Sequence, residues 1–190
     1  MRLFLAVDVD EPTRQLVSGW RNGIVTSLGG AARALRWVDP DQLHLTMRFL
    51  GDAVELARLT TALAAPLLVP AFSIAWSTPG WLPPRGRPRV LHIGVGDGTD
   101  GLLTAFAALA ERLEAIGVAQ EPRPFTPHLT VARVRDGTAP SMIARVRNAV
   151  ADVPLPDKGI RVTVTHVTLY DSQLTPAGPT YRVCSQIALS

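Results

Sequence analysis

Cysteine is nearly absent from the chain: Cys184 is the only one in 190 residues. A single thiol excludes an internal disulfide and any multi-cysteine metal site. It lies in the apolar tail 181–189 and reads as a packed core thiol. Lysine is as scarce, with Lys158 alone among nineteen basic residues. Codon usage in a chain rich in Ala, Gly and Pro explains that bias as well as function does. Charge of one sign is also lacking. A net +3 is too small an excess for wrapping nucleic acid and suits a compact anionic ligand. No apolar run approaches the roughly 20 residues that span a bilayer. The segment 2–9 is too short, and too soon followed by acid at Asp8 and Asp10, for a signal peptide. The expectation is a soluble cytoplasmic protein with no membrane contact. What is present is 47% hydrophobic residue, enough for one domain with a sizeable core.

The pattern predicts strands and helices in alternation. Residues 2–9 read as a strand, and Pro12 opens a helix to about Leu28, ended by Gly29-Gly30. A strand at 43–50 follows, then a helix from Asp52 to about Leu68 and a strand at 71–76. Residues 78–88, rich in Pro, Gly and Arg, break the pattern and read as a linker or mobile loop. The order then recurs: strand 89–96, helix from Asp100 to about 116, strand 126–134, helix 141–150, strand 160–170. This predicts an α+β fold from an internal duplication: two pseudo-symmetric lobes, each an antiparallel sheet flanked by helices, around a central cleft. The whole of 1–190 forms one domain, with lobe-forming halves at about 1–77 and 89–190.

Four histidines stand at 44, 92, 128 and 166. Three of them begin a His-x-Thr triplet: His44-Leu45-Thr46, His128-Leu129-Thr130 and His166-Val167-Thr168. On a strand, residues i and i+2 share a face about 6.6–6.8 Å apart. Such a triplet presents an imidazole and a hydroxyl together and turns the middle residue into a core. The imidazole moves protons near neutral pH, and the hydroxyl donates to a phosphate oxygen. Alone, a strand histidine is more often structural. Two facing copies supply the base and the acid that metal-free phosphodiester hydrolysis requires on opposite sides of phosphorus. His44 and His128 pair, because each sits on the second strand of its half. His166 lies on a third strand whose counterpart near Trp76 has no such triplet, and reads as a decoy. His92 reads as structural.

The segments Leu43–Gly51 and Phe125–Arg133, with 2–7, 87–91, 169–172 and 178–181, resemble the two-histidine phosphoesterase superfamily. The likeness is strongest to its RNA 2′,3′-cyclic phosphodiesterase branch, also called LigT-like or 2′-5′ RNA ligase-like. The resemblance implies a bilobal fold with the histidines in the cleft, no cofactor and no metal, and hydrolysis of a 2′,3′-cyclic phosphate to a 2′-phosphate. It implies His44 as proton donor and His128 as proton acceptor, with Thr46 and Thr130 holding non-bridging oxygens. The residues themselves leave the order of those two roles open. The sequence departs from the family at His92, where an aromatic residue is usual, and at Asp171, where Glu is commoner.

Further candidates surround the pair. Arg48 shares the predicted face of His44 and would bind phosphate. Arg133 follows His128 by five and needs a bulge to reach that face; for both, a strand-orienting salt bridge is the competing role. Trp37, Trp81 and Arg85 combine stacking surface and charge as an RNA groove would, against core packing or plain solvation. The expected partner is an RNA or oligonucleotide with a 2′,3′-cyclic phosphate end, met by a monomer. Competing functions are a non-catalytic nucleotide- or RNA-end-binding module and a 2′-5′ RNA ligase running the reverse reaction. A metallohydrolase has only scattered histidines in its favour.

Overall fold

The computed structural model describes residues 2–52, 54–156, 159–175 and 178–190. Strand β1 (Arg2–Asp8) leads into helix α1 (Glu11–Leu28). Asp10 caps this helix, its carboxylate accepting from the Thr13 amide at 3.0 Å, and Pro12 occupies the first turn, where its missing N–H costs nothing. Two 3₁₀ turns flank the short strand β2 (Leu35–Trp37) before strand β3 (His44–Gly51). Then come α2 (Leu56–Ala62), β4 (Phe72–Leu82), β5 (Val90–Val95) and α3 (Thr99–Ala115). The chain closes with β6 (His128–Val134), α4 (Pro140–Asp152), β7 (Arg161–Val164), β8 (His166–Thr175) and β9 (Gly178–Ala188).

Most strands and helices follow the pattern, with informative exceptions. The helix expected from Asp52 begins at Leu56 and stops at Ala62; Ala53 lies outside the described residues. Pro66 forbids helix further on. Leu67 instead pairs with the carbonyl of Ala188, its amide donating at 2.8 Å. Asp100 lies in the first turn of α3, whose cap is Gly98. The expected strand 160–170 divides at Thr165, where β7 pairs with β4 and β8 with β1 and β9. Residues 78–82 belong to β4 and not to a loop. Pro79 is tolerated because β4 pairs β5 there on one side only, while β7 covers residues 72–75.

The sheet order is β7-β4-β5-β6-β3-β1-β8-β9, with β2 beside β6. Read outward from the β6–β3 seam, it is palindromic with respect to the two halves. β3 matches β6, β1 matches β5, and β8 matches β4. The third strand of each half therefore pairs with the first strand of the other half. The halves expected at about 1–77 and 89–190 thus exchange strands, β4 pairing with β5 and β8 with β1.

Two apolar cores lie on the helix-covered face. Leu5, Leu45, Leu59, Leu63, Leu109 and Leu169 belong to one, under α2 and α3. Trp20, Ile24, Leu91, Leu129, Val131 and Val146 belong to the other, under α1 and α4. The middle residues of the first two His-x-Thr triplets, Leu45 and Leu129, are fully buried, one in each core. That anchorage forces the flanking histidine and threonine to the opposite face.

Candidate active site

β3 and β6 meet at the single antiparallel bridge Leu45–Leu129. The antiparallel direction sets Thr130 across the seam from His44, and Thr46 across from His128. Each histidine is tied in the same way to its own backbone. His44 Nδ1 lies 2.8 Å from the carbonyl of Gln42, and His128 Nδ1 lies 2.8 Å from the carbonyl of Thr126. A carbonyl only accepts, so both Nδ1 atoms carry hydrogen and both Nε2 atoms are left to exchange protons.

The arginines depend on two matching bulges. Opposite β1, the register skips Met47, and opposite β5 it skips Val131. Each bulge flips the residues beyond it to the other face. Arg133 is thereby paired with Val90 on the face that carries His92 and His128. It lies close enough to His44 and Tyr181 to oppose the protonation of one and favour ionisation of the other. Arg48 is turned the other way, paired with the fully buried Leu5. Its guanidinium donates to the Ala119 carbonyl and stands 3.7 Å from Glu121. The phosphate role expected of Arg48 is thus corrected to a salt bridge that fixes the strand.

The expected RNA contacts are not gathered here. Trp81 pairs with Leu91 and packs on the core under α1 and α4. It lines a hollow of about 770 Å³ with Trp76, Pro79 and Arg147, on the side away from the histidines. Trp37 packs on the same core under the Arg21 guanidinium, 5.7 Å from its ring centre. Both tryptophans are spent on packing because their cross-strand partners, Leu91 and Ala132, face inward. Arg85 is exposed in the β4–β5 turn, at the end of β5 remote from Gly94, the partner of His128. Arg36, next to Trp37, is exposed and paired with Arg133.

The surroundings of His44 hold residues that the sequence did not single out. Asp8 is its cross-strand partner. The Asp8 carboxylate accepts from Thr168 Oγ1 at 2.7 Å and from the Tyr170 hydroxyl at 2.5 Å, and lies 3.5 Å from His166 Nε2. His166 is thus on the site's face as a partner of Asp8. Phe4 and Tyr181 crowd the His44 ring, with centroids at 4.9 and 5.2 Å. Burial pushes the His44 pKa below its ordinary 6.5; the Gln42 carbonyl and Asp8 push back up, and Arg133 pushes down. Burial raises the Tyr170 pKa, reinforced by its hydrogen bond to Asp8. The only sequence signal for Asp8 was its place at the end of the strand that pairs with the first triplet.

The equivalent position beside His128 is Gly94, so no carboxylate stands directly across from that ring. Its neighbour is His92, whose ring centre stands 5.3 Å from that of His128 at 81°. Among the described residues, no three His, Cys, Asp or Glu side chains gather as metal ligands would. Nor is any described helix long and apolar enough to cross a membrane.

Residues 9–175 match the model of the 2′-5′ RNA ligase superfamily. The chain is 35% identical over 188 residues to the RNA 2′,3′-cyclic phosphodiesterase of Archaeoglobus fulgidus, covering 96% of this chain and 97% of that one. It is 29% identical to the protein of the same name from Escherichia coli, over 100% and 97% of the two chains. Among solved structures it resembles TT0787 of Thermus thermophilus, with a TM-score of 0.77 at 28% identity, covering 100% and 98%. It also resembles E. coli LigT complexed with 3′-AMP, with a TM-score of 0.73 at 27% identity over the same shares.

Proposed function

The chain belongs to the 2′-5′ RNA ligase superfamily, and from that membership we propose that it hydrolyses RNA 2′,3′-cyclic phosphate ends to 2′-phosphates. The observation that carries the reading is the matched pair of imidazoles. Both are held by Nδ1 at 2.8 Å on a backbone carbonyl, and they stand on the two sides of one seam.

In the reaction as proposed, His128 Nε2 takes a proton from water as that oxygen bonds to phosphorus. The bond from phosphorus to O3′ breaks on the far side, and His44 Nε2–H protonates the departing O3′. The products are a 2′-phosphate and a free 3′-hydroxyl, and the net proton transfer from His128 to His44 resets the site. Thr46 and Thr130 donate to the non-bridging oxygens, and Arg133 opposes their charge. The contrast between the lobes supports this order of roles. Asp8 beside His44 works against the larger effect of burial and toward the protonated form that a general acid needs, while a glycine stands at the matching place beside His128. The two imidazoles supply both proton transfers, so the scheme uses no metal. One chain holds both, so a monomer suffices.

The test is incubation with a short RNA ending in a 2′,3′-cyclic phosphate, in EDTA, with the product isomer identified. A 2′-phosphate is expected. A 3′-phosphate would reverse the leaving group, and binding without hydrolysis would reduce the protein to an end-binding module.

A further inference from the structure

His92 stands where the strand register exposes it to the site. It pairs with Gly80 on one side and Thr130 on the other, on the face shared with His128 and Arg133. Gly80 makes the room: a Cβ there would lie 2.7 Å from His92 Cε1 and 3.0 Å from Nε2. The ring thus lies against the bare backbone of Gly80, with the His128 ring edge-on at 5.3 Å between centres. Its Nδ1 is buried and has no hydrogen-bond partner among the described residues. A buried unpaired N–H is the costlier orphan, and an unpaired acceptor is the better tolerated. The proton of the neutral ring therefore sits on Nε2. The matching residue of the other lobe is Ala6, the partner of Thr46, so the third ring exists on one side only.

We propose that His92 is a substrate-contacting residue, a neutral imidazole donating from Nε2 to the phosphoryl group that Thr130 also holds. The proposal rests on the hydrolytic reading for its substrate. An orphaned nitrogen beside the reacting groups weakens the fold and is kept for what the ring gives the ligand. Neutrality suits the role: burial, and then the facing His128 ring, push its pKa down to about 4. The charged or titratable groups on its face across the pairing are His128 and Arg133, both on β6, while β4 offers only Gly80.

His92→Phe keeps the ring and removes both nitrogens. It is expected to lower kcat/KM by about 10- to 100-fold, the worth of one hydrogen bond to a charged group. It should melt no lower than the wild type at pH 7. Its stability should also fall less with acid. The unfolded chain takes up this proton below pH 6.5 and the folded one only near 4, so the wild type alone loses stability as pH falls through that window. Unchanged kcat/KM in a folded His92→Phe protein would overturn the proposal. Imidazole NMR of the wild-type protein gives a second readout that needs no variant and no turnover. The His92 ring should be neutral and Nε2-protonated at pH 7, and should shift when adenosine 2′-monophosphate is added. An Nδ1–H tautomer, or no shift at saturation, overturns the assignment. A wild type that shows the shift but hydrolyses nothing would sink the hydrolytic reading and leave His92 as a phosphate contact.

Discussion

His44 and His128 are tied alike and surrounded unlike. Both rings hang from a carbonyl two residues back at 2.8 Å, both precede a leucine locked in a core, and both strands carry a bulge after the threonine. Around His44 the site is closed: Phe4 and Tyr181 cover the ring, and Asp8 stands opposite. Around His128 it is open, with Gly94 opposite and His92 edge-on. The duplicated framework gives two proton carriers in matching positions. The residues that are not duplicated are where the proposed acid and base roles would be told apart.

Removing either carrier tests the matching half of that statement. His44→Ala and His128→Ala should each lower kcat by about 10²–10⁴-fold, measured on the cyclic-phosphate RNA with circular dichroism to verify folding. Near wild-type activity in either variant would break the pairing. The arginines test the bulges next. Arg133→Gln removes a cation from the open cleft and should lower kcat/KM about tenfold, with little change in thermal midpoint. Arg48→Gln breaks a bond to the Ala119 carbonyl and a pairing with Glu121 on the opposite face. It should instead lower the midpoint by a few degrees, the equivalent of about 1 kcal/mol, and leave kcat/KM within about twofold. The reverse pattern would show that the faces are misassigned.

Those arginines also mark how far the sequence could be read. His44, Thr46, His128 and Thr130 were legible because they depend only on alternation along one strand. The face of Arg48 was not, and that of Arg133 only on condition of a bulge, because the extra residues Met47 and Val131 are defined by what lies on the neighbouring strand. Asp8 reaches His44 through the pairing of β1 with β3, and Tyr181 through those of β1 with β8 and β8 with β9, strands separated by most of the chain length. The exchange of third strands is invisible to element order, which is the same whether β4 joins its own half or the other one. Trp81 looked like loop because Pro79 and Gly80 break strands in general, though an edge admits both.

The finest part of the contrast is electrostatic. Burial holds the His44 pKa below 6.5, Asp8 raises it and Arg133 lowers it. A general acid must be protonated, so kcat/KM declines as pH rises through the His44 pKa of the free enzyme. Asp8→Asn keeps the shape and the acceptor for Tyr170 while deleting the charge. The His44 pKa then falls further, and the alkaline limb of kcat/KM moves to lower pH. Above that limb, at pH 7 to 8, activity should drop about threefold to tenfold. At the acid end, where His44 is already protonated, it should hardly change. Arg133→Gln should move the same limb upward, although its overall rate is lower. Opposite displacements by the two variants would place both charges on His44. A limb that ignores Asp8→Asn would mean that the carboxylate serves only Thr168 and Tyr170 and leaves the protonation of His44 untouched.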